Sequence, residues 1–135
     1  MDKQVYSNVT YEVIAAATEV HEELGNGLLE AAYREALAIE FELRCIPYQQ
    51  EQPLSLHYKG CILQQGYTPH FVVQDLLVVN LQAVRRNGPE VESQILNYLK
   101  ATGYPVGLLL SFGFPGRLRW KSIVPGSFEF RRVVG

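Results

Sequence analysis

The chain reads as a single α+β domain spanning residues 1–135, with helices flanking a mixed central sheet in the order ααβββαββ. Three observations carry that reading. A run with apolar residues at helical spacing and a second run of strong helix formers open the chain, and three strand-like runs divided by turn signals follow them. A third amphipathic helix then leads into "VGLLLSFG", a continuously apolar stretch suited to the middle of a buried sheet.

Taken in order, Val13, Ala17, Val20 and Leu24 form one stripe within Val9–Leu24, with Glu12, Glu19, Glu22 and Glu23 off it. The helix stops at "GNG", residues 25–27. "LLEAAYREALAIEFELR" then begins at once with strong helix formers, and Ile46-Pro47 closes it. "QPLSLHY", "CILQQGYTPHFVV" and "LLVVNLQAV", separated by turns at Lys59-Gly60 and Gln74-Asp75, read as a three-stranded meander. After "RRNGP", Pro89 suits a first helical position and Glu90 and Glu92 suit the positive end of the helix dipole. Val91, Ile95, Tyr98 and Leu99 form its stripe, and Gly103 and Pro105 end it. "VGLLLSFG" and the alternating "LRWKSIV" complete the sheet.

Several function classes fall away on composition. A hydrophobic share of 47% with 19% charged residues is that of an ordinary globular domain rather than a disordered or fibrous chain. No apolar run approaches the roughly 20 residues that cross a bilayer. The opening "MDKQVYSNVTYEV" lacks the apolar core of an export signal, so the expected location is the cytoplasm, with no membrane partner. Cys45 and Cys61 have neither a metal-site spacing nor the density of a disulfide framework, and read as two free thiols.

The net charge of -2 hides an asymmetry. Residues 1–84 carry 4 basic and 11 acidic side chains, whereas residues 85–135 carry 8 basic and 3 acidic. Arg85, Arg86, Arg117, Arg119, Lys121, Arg131 and Arg132 are therefore candidates for a basic face that meets nucleic-acid phosphate. Attraction between the two halves, or plain solvation, accounts for the same split.

The order of elements and two local motifs resemble one family. "GLLEAAYREAL" holds a G-x-x-E-x-x-Y pattern in Gly27, Glu30 and Tyr33. "SQILNYLKATGYPVGLLLSFG" is similar to the family's helix-to-strand segment around Gln94 and Tyr98, and "YKG", residues 58–60, lies between the two in the expected place. From about Tyr11 to Val124 the chain thus resembles the GxxExxY proteins of the PD-(D/E)XK nuclease superfamily, which implies a restriction-endonuclease-like fold. The resemblance also implies a site made of a helix Glu, an Asp at the bend of the second strand, and an acid-x-Lys pair on the third. There the carboxylates hold Mg²⁺ or Mn²⁺, because such cations want hard anionic oxygens, and metal and Lys together activate water and neutralise charge on the phosphate.

Carried over residue by residue, the chain keeps Glu30, Gln94 and Pro69. His70 stands where the resemblance expects Asp, Asn80 where it expects an acid, and Gln82 where it expects Lys. Positions 80 and 82 still share one face of a strand, as an acid-x-Lys pair must. The expectation is a former nuclease site at Glu30, His70, Asn80, Gln82 and Gln94, with no confident catalytic residue, no metal ligand set and no cofactor.

Each of these residues also has a plainer reading. With Gly27 as N-cap, Glu30 would fall at the third helical position and close a capping box. Gln94 suits a helix edge, and Asn80 and Gln82 suit the solvated face of an antiparallel strand, with Leu77, Val79, Leu81 and Ala83 toward the core. His70 suits a hydrogen-bonded structural role better than metal binding, since no ligand cluster surrounds it in sequence, and His21 and His57 show no partner pattern. No nucleophile-elbow sequence and no Gly-rich phosphate loop after a strand is present.

Together these readings predict a catalytically inactive nuclease homologue that binds nucleic acid or a protein partner. Two alternatives stand beside it. One is an active metal-dependent nuclease with unorthodox ligands drawn from Glu30, Glu51 or Asp75, although Asp75 sits in a predicted turn away from His70. The other is a homodimeric structural or interaction protein.

Overall fold

The computed structural model describes residues 3–50, 52–84 and 89–125. In chain order the elements are α1 (Lys3–Leu24), α2 (Glu30–Leu43), β1 (Tyr48–Gln50), β2 (Leu54–Tyr58), β3 (Cys61–Tyr67), β4 (Phe71–Val73), β5 (Leu77–Gln82), α3 (Pro89–Thr102), β6 (Val106–Ser111) and β7 (Arg119–Ile123). A five-stranded sheet runs β1-β4-β5-β6-β7, and β2 and β3 pair as a separate two-stranded sheet. Only the β5–β6 pairing of the large sheet is parallel, joined through α3; the other pairings are antiparallel.

The period-two alternation of the central strands sorts the core into two layers. Phe71 and Val73 of β4, Leu77, Val79 and Leu81 of β5, and Leu108 and Leu110 of β6 face α1 and α2. There they meet Val13, Ala17, Tyr33, Leu37 and Phe41. Val72, Val78, Leu109 and Ile123 face the other way, against Ile95, Tyr98 and Leu99 of α3. Each fully buried large side chain contributes about 1.5–3 kcal/mol, so both layers are needed to hold the sheet between its helices. Gly107 lets α3 approach closely: a Cβ there would stand 2.5 Å from Ile95 Cγ2.

Turn chemistry sets the element ends. Gln74 and Asp75 both adopt left-handed backbone, with φ of 52° and 54°, which turns β4 back onto β5, and Lys59 (φ 49°) and Gly60 (φ 82°) do the same between β2 and β3. At the end of α2, Ile46 N–H donates to Phe41 O at 2.9 Å and Cys45 N–H to Glu42 O at 3.1 Å. This is a Schellman cap, with Cys45 (φ 59°) in the position that usually takes glycine.

Four expectations change here. The helix expected from Val9 begins at Lys3. The second run of the expected meander splits at Thr68-Pro69-His70 into β3 and β4, which belong to different sheets, because Pro69 has no N–H to continue a ladder. Tyr48–Gln50 adds a short strand on β4 that no apolar pattern announces. Finally, β5 is a central strand, so the face expected to be solvated carries Val78 buried against α3, and beyond it Asn80 is 8% exposed and Gln82 half-buried.

Among the described residues no helix is long and apolar enough to cross a membrane. Cys45 and Cys61 are exposed free thiols.

Candidate functional site

A cleft of about 650 Å³ opens beside the C-terminal end of β5. Glu30, His70, Asn80, Gln82 and Gln94, which lie far apart in sequence, all line it. Glu30 comes from the first turn of α2, His70 from the bend before β4, and Gln94 from the start of α3. Asn80 and Gln82 extend the Val78 row of β5 past the side chains that α3 covers.

The N-cap of α2 is Leu29 rather than Gly27, and it makes no side-chain capping bond. Glu30 is therefore the first helical residue and does not close a capping box. Its carboxylate still meets the positive end of the helix dipole. The hydroxyl of Tyr33 instead organises the preceding loop, donating to Gly25 O at 2.6 Å and accepting from Leu28 N–H at 3.2 Å.

His70 is held from three sides. Its Nδ1 accepts the N–H of Leu81 at 3.0 Å, and its own backbone N–H donates to Asn80 Oδ1 at 3.0 Å. An imidazole nitrogen that accepts carries no proton, so in the neutral ring the hydrogen sits on Nε2, which lies 3.2 Å from Glu30 Oε1 and donates to it. Asn80 in turn donates from Nδ2 to the Tyr67 hydroxyl at 2.5 Å. Burial pushes the Tyr67 phenol well above its ordinary value, so it stays neutral. Gln82 Nε2 donates to Ser111 Oγ at 3.0 Å across the parallel β5–β6 pair.

This donor set does not suit a divalent metal. Mg²⁺ and Mn²⁺ favour anionic oxygens, and Glu30 supplies the one carboxylate among the described lining residues. For His70 Nε2 to ligate a metal, the ring proton would have to move to Nδ1, directly against the Leu81 N–H that Nδ1 now accepts. Among the described residues no group of three or more His, Cys, Asp or Glu side chains is placed to hold an ion. Asp75 is exposed in the β4–β5 turn and does not line the cleft, and Glu51 lies outside the described residues.

The candidate basic face is only partly described, since Arg85, Arg86, Arg131 and Arg132 lie outside the described residues. Arg117, Arg119 and Lys121 are exposed on and before β7, and none of the three lines the cleft. Arg119 stacks over the Phe114 ring at 3.9 Å, and Lys121 Nζ lies 3.0 Å from Glu92 Oε1.

Two features escaped the sequence. His21 is buried, with Nε2 donating to Phe114 O at 3.1 Å; its place on the apolar side of α1 was the signal available. Tyr67 joins the cleft through Asn80, and nothing in local sequence marks it.

A mixed sheet between two helices on one face and one on the other is consistent with a restriction-endonuclease-like fold. The model of the PD-(D/E)XK nuclease superfamily matches residues 7–123, and the chain belongs to that superfamily. Comparison with curated proteins and with solved structures found no match.

Proposed function

We propose that this chain is a PD-(D/E)XK protein of the GxxExxY type that has lost nuclease chemistry and works as a binding or assembly module for nucleic acid or a protein partner. The observation that supports this best is the bonding of His70. The side chain at the position of the superfamily's strand-bend Asp accepts the Leu81 N–H and donates to Glu30, so it is committed to a neutral hydrogen-bond network. Asn80 and Gln82 are likewise bonded within the fold. A fold without the charges of its site does not carry the site's reaction.

The test is incubation of the purified protein with DNA and with RNA in the presence of Mg²⁺ or Mn²⁺. The proposal expects no cleavage; metal-dependent cleavage that disappears in Glu30→Ala overturns it. Partner class is read in a second assay. Nucleic-acid binding through the basic C-terminal half weakens steeply with salt, and reversal of Arg117, Arg119 and Arg131 to Glu weakens it for all sequences alike. Unchanged affinity in that variant moves the reading to a protein partner. A mass that rises with concentration in the absence of nucleic acid favours the homodimer.

A further inference from the structure

α2 carries two apolar stripes, and only one of them is fully buried; in the other, Ala36 is half-buried against the core and the remaining members are exposed. Tyr33, Leu37 and Phe41 are fully buried against the sheet. Ala32, Ala36, Ile39 and Leu43 recur at intervals of four, three and four residues on a different side, continuing from Leu29 at the N-cap. This is the spacing of an a/d seam, which two helices share when they pack side by side. The large members of the seam face solvent: Leu29 is 81% exposed, Ile39 54% and Leu43 73%. Single exposed leucines are ordinary, but aligned ones along roughly 21 Å of helix form a continuous surface.

The chemistry of the seam selects its occupant. Small Ala32 and Ala36 lie at the middle and larger residues at the ends, so a partner helix can approach closely and fill the centre with its own large side chains. Glu35 and Glu42 flank one side of the seam, Glu40 on the other side is paired with Arg44 at 2.6 Å, and residues 6–44 carry eight glutamates against two arginines. Two copies of this surface would set glutamates against glutamates, whereas a helix with Lys or Arg beside its apolar stripe would be complementary.

We propose that the outer face of α2 docks an amphipathic helix of a partner protein, with large apolar residues opposite Ala32 and Ala36 and basic residues flanking them. Of the seam, Leu29 also lines the cleft, but Ile39 and Leu43 do not, so the two readings are tested apart: cleavage assays read the cleft, and helix binding at Ile39 and Leu43 reads α2. The probe is a synthetic helical peptide with leucine at every a and d position and lysine at e and g, titrated by fluorescence anisotropy against the full chain. The same peptide with glutamate at e and g is the charge control.

The lysine peptide binds at least about tenfold more tightly than the glutamate peptide, and the double variant Ile39→Gln/Leu43→Gln weakens it by at least about tenfold. Glutamine keeps helix propensity and both positions are solvent-exposed, so the variant stays folded. The variant Ile62→Gln, which removes an equally exposed apolar residue from β3, leaves binding unchanged. Failure of the lysine peptide to bind overturns the proposal, as does binding that survives in the double variant or is lost equally in Ile62→Gln. Self-association of the parent that the double variant abolishes also overturns it, by making a second copy the occupant.

Discussion

His70 and Asn80 hold each other across the β4–β5 hairpin: the backbone N–H of His70 donates to Asn80 Oδ1 at 3.0 Å, while the Asn80 amide donates to Tyr67. Two positions where the sequence resemblance led us to expect carboxylates are joined here by neutral bonds. The cleft is thereby built as a hydrogen-bonded part of the fold.

Removing Asn80 therefore has a structural cost. Asn80→Ala strands the His70 N–H and removes the Tyr67 contact at a site that is 8% exposed, and the expected loss is about 2–4 kcal/mol by chemical denaturation. Gln94→Ala, on the exposed edge of α3, is expected to stay within about 0.5 kcal/mol of the parent. Equal effects from the two substitutions would remove Asn80 from its place in the network.

Alkaline pH gives a second reading of the same cluster. Burial is the main cause that raises the Tyr67 phenol above its ordinary 10.0; the Asn80 hydrogen bond opposes the rise and Tyr98 adds to it. Burial also raises Tyr98, with Tyr104 adding to the effect. A phenol whose pKa is higher in the folded than in the unfolded chain contributes stability that is complete below the unfolded value and lost as pH climbs toward the folded one. Stability measured by denaturation should thus fall above about pH 10, and the fall should be shallower in Tyr67→Phe. An identical slope in parent and variant would contradict this assignment.

Close packing of α3 on β6 predicts a sharp response at Gly107. Alanine there places its methyl group against Ile95 and Leu99, and the expected destabilisation is about 1–3 kcal/mol. A neutral Gly107→Ala would mean that α3 sits farther from the sheet than described.

Much of this arrangement was legible in the sequence, for identifiable reasons. The apolar stripes of α1 and α3, the strong helix formers of α2, the turn at Gln74-Asp75 and the continuous apolar run of β6 are local signals, and each marks the expected element. The split between β3 and β4 was less accessible, since the run through Pro69 is strand-like on both sides and only pairing partners reveal two sheets. Likewise, period two places Asn80 and Gln82 on one face, but whether water or α3 covers that face depends on residues downstream. The meeting of Glu30 with His70 is a contact between distant elements, and the resemblance alone anticipated it. The Leu81 N–H that fixes the His70 tautomer had no sequence signal at all.

The most direct test of a nuclease scaffold stripped of its charges is to restore them and measure metal-dependent stability. In the triple variant His70→Asp, Asn80→Glu and Gln82→Lys, three carboxylates including Glu30 would share the cleft. Without a cation they repel, and the variant should melt below the parent. Mn²⁺ at about a hundred times its dissociation constant should return about 2.7 kcal/mol, a rise of several degrees that a chelator reverses. At about 10 mM Mn²⁺ the parent, whose dissociation constant on this account is about 10 mM or weaker, should gain no more than about 0.4 kcal/mol. A folded triple variant that shows no response to Mn²⁺ would contradict the account, because positions 70, 80 and 82 would then not converge on Glu30 as a metal site requires.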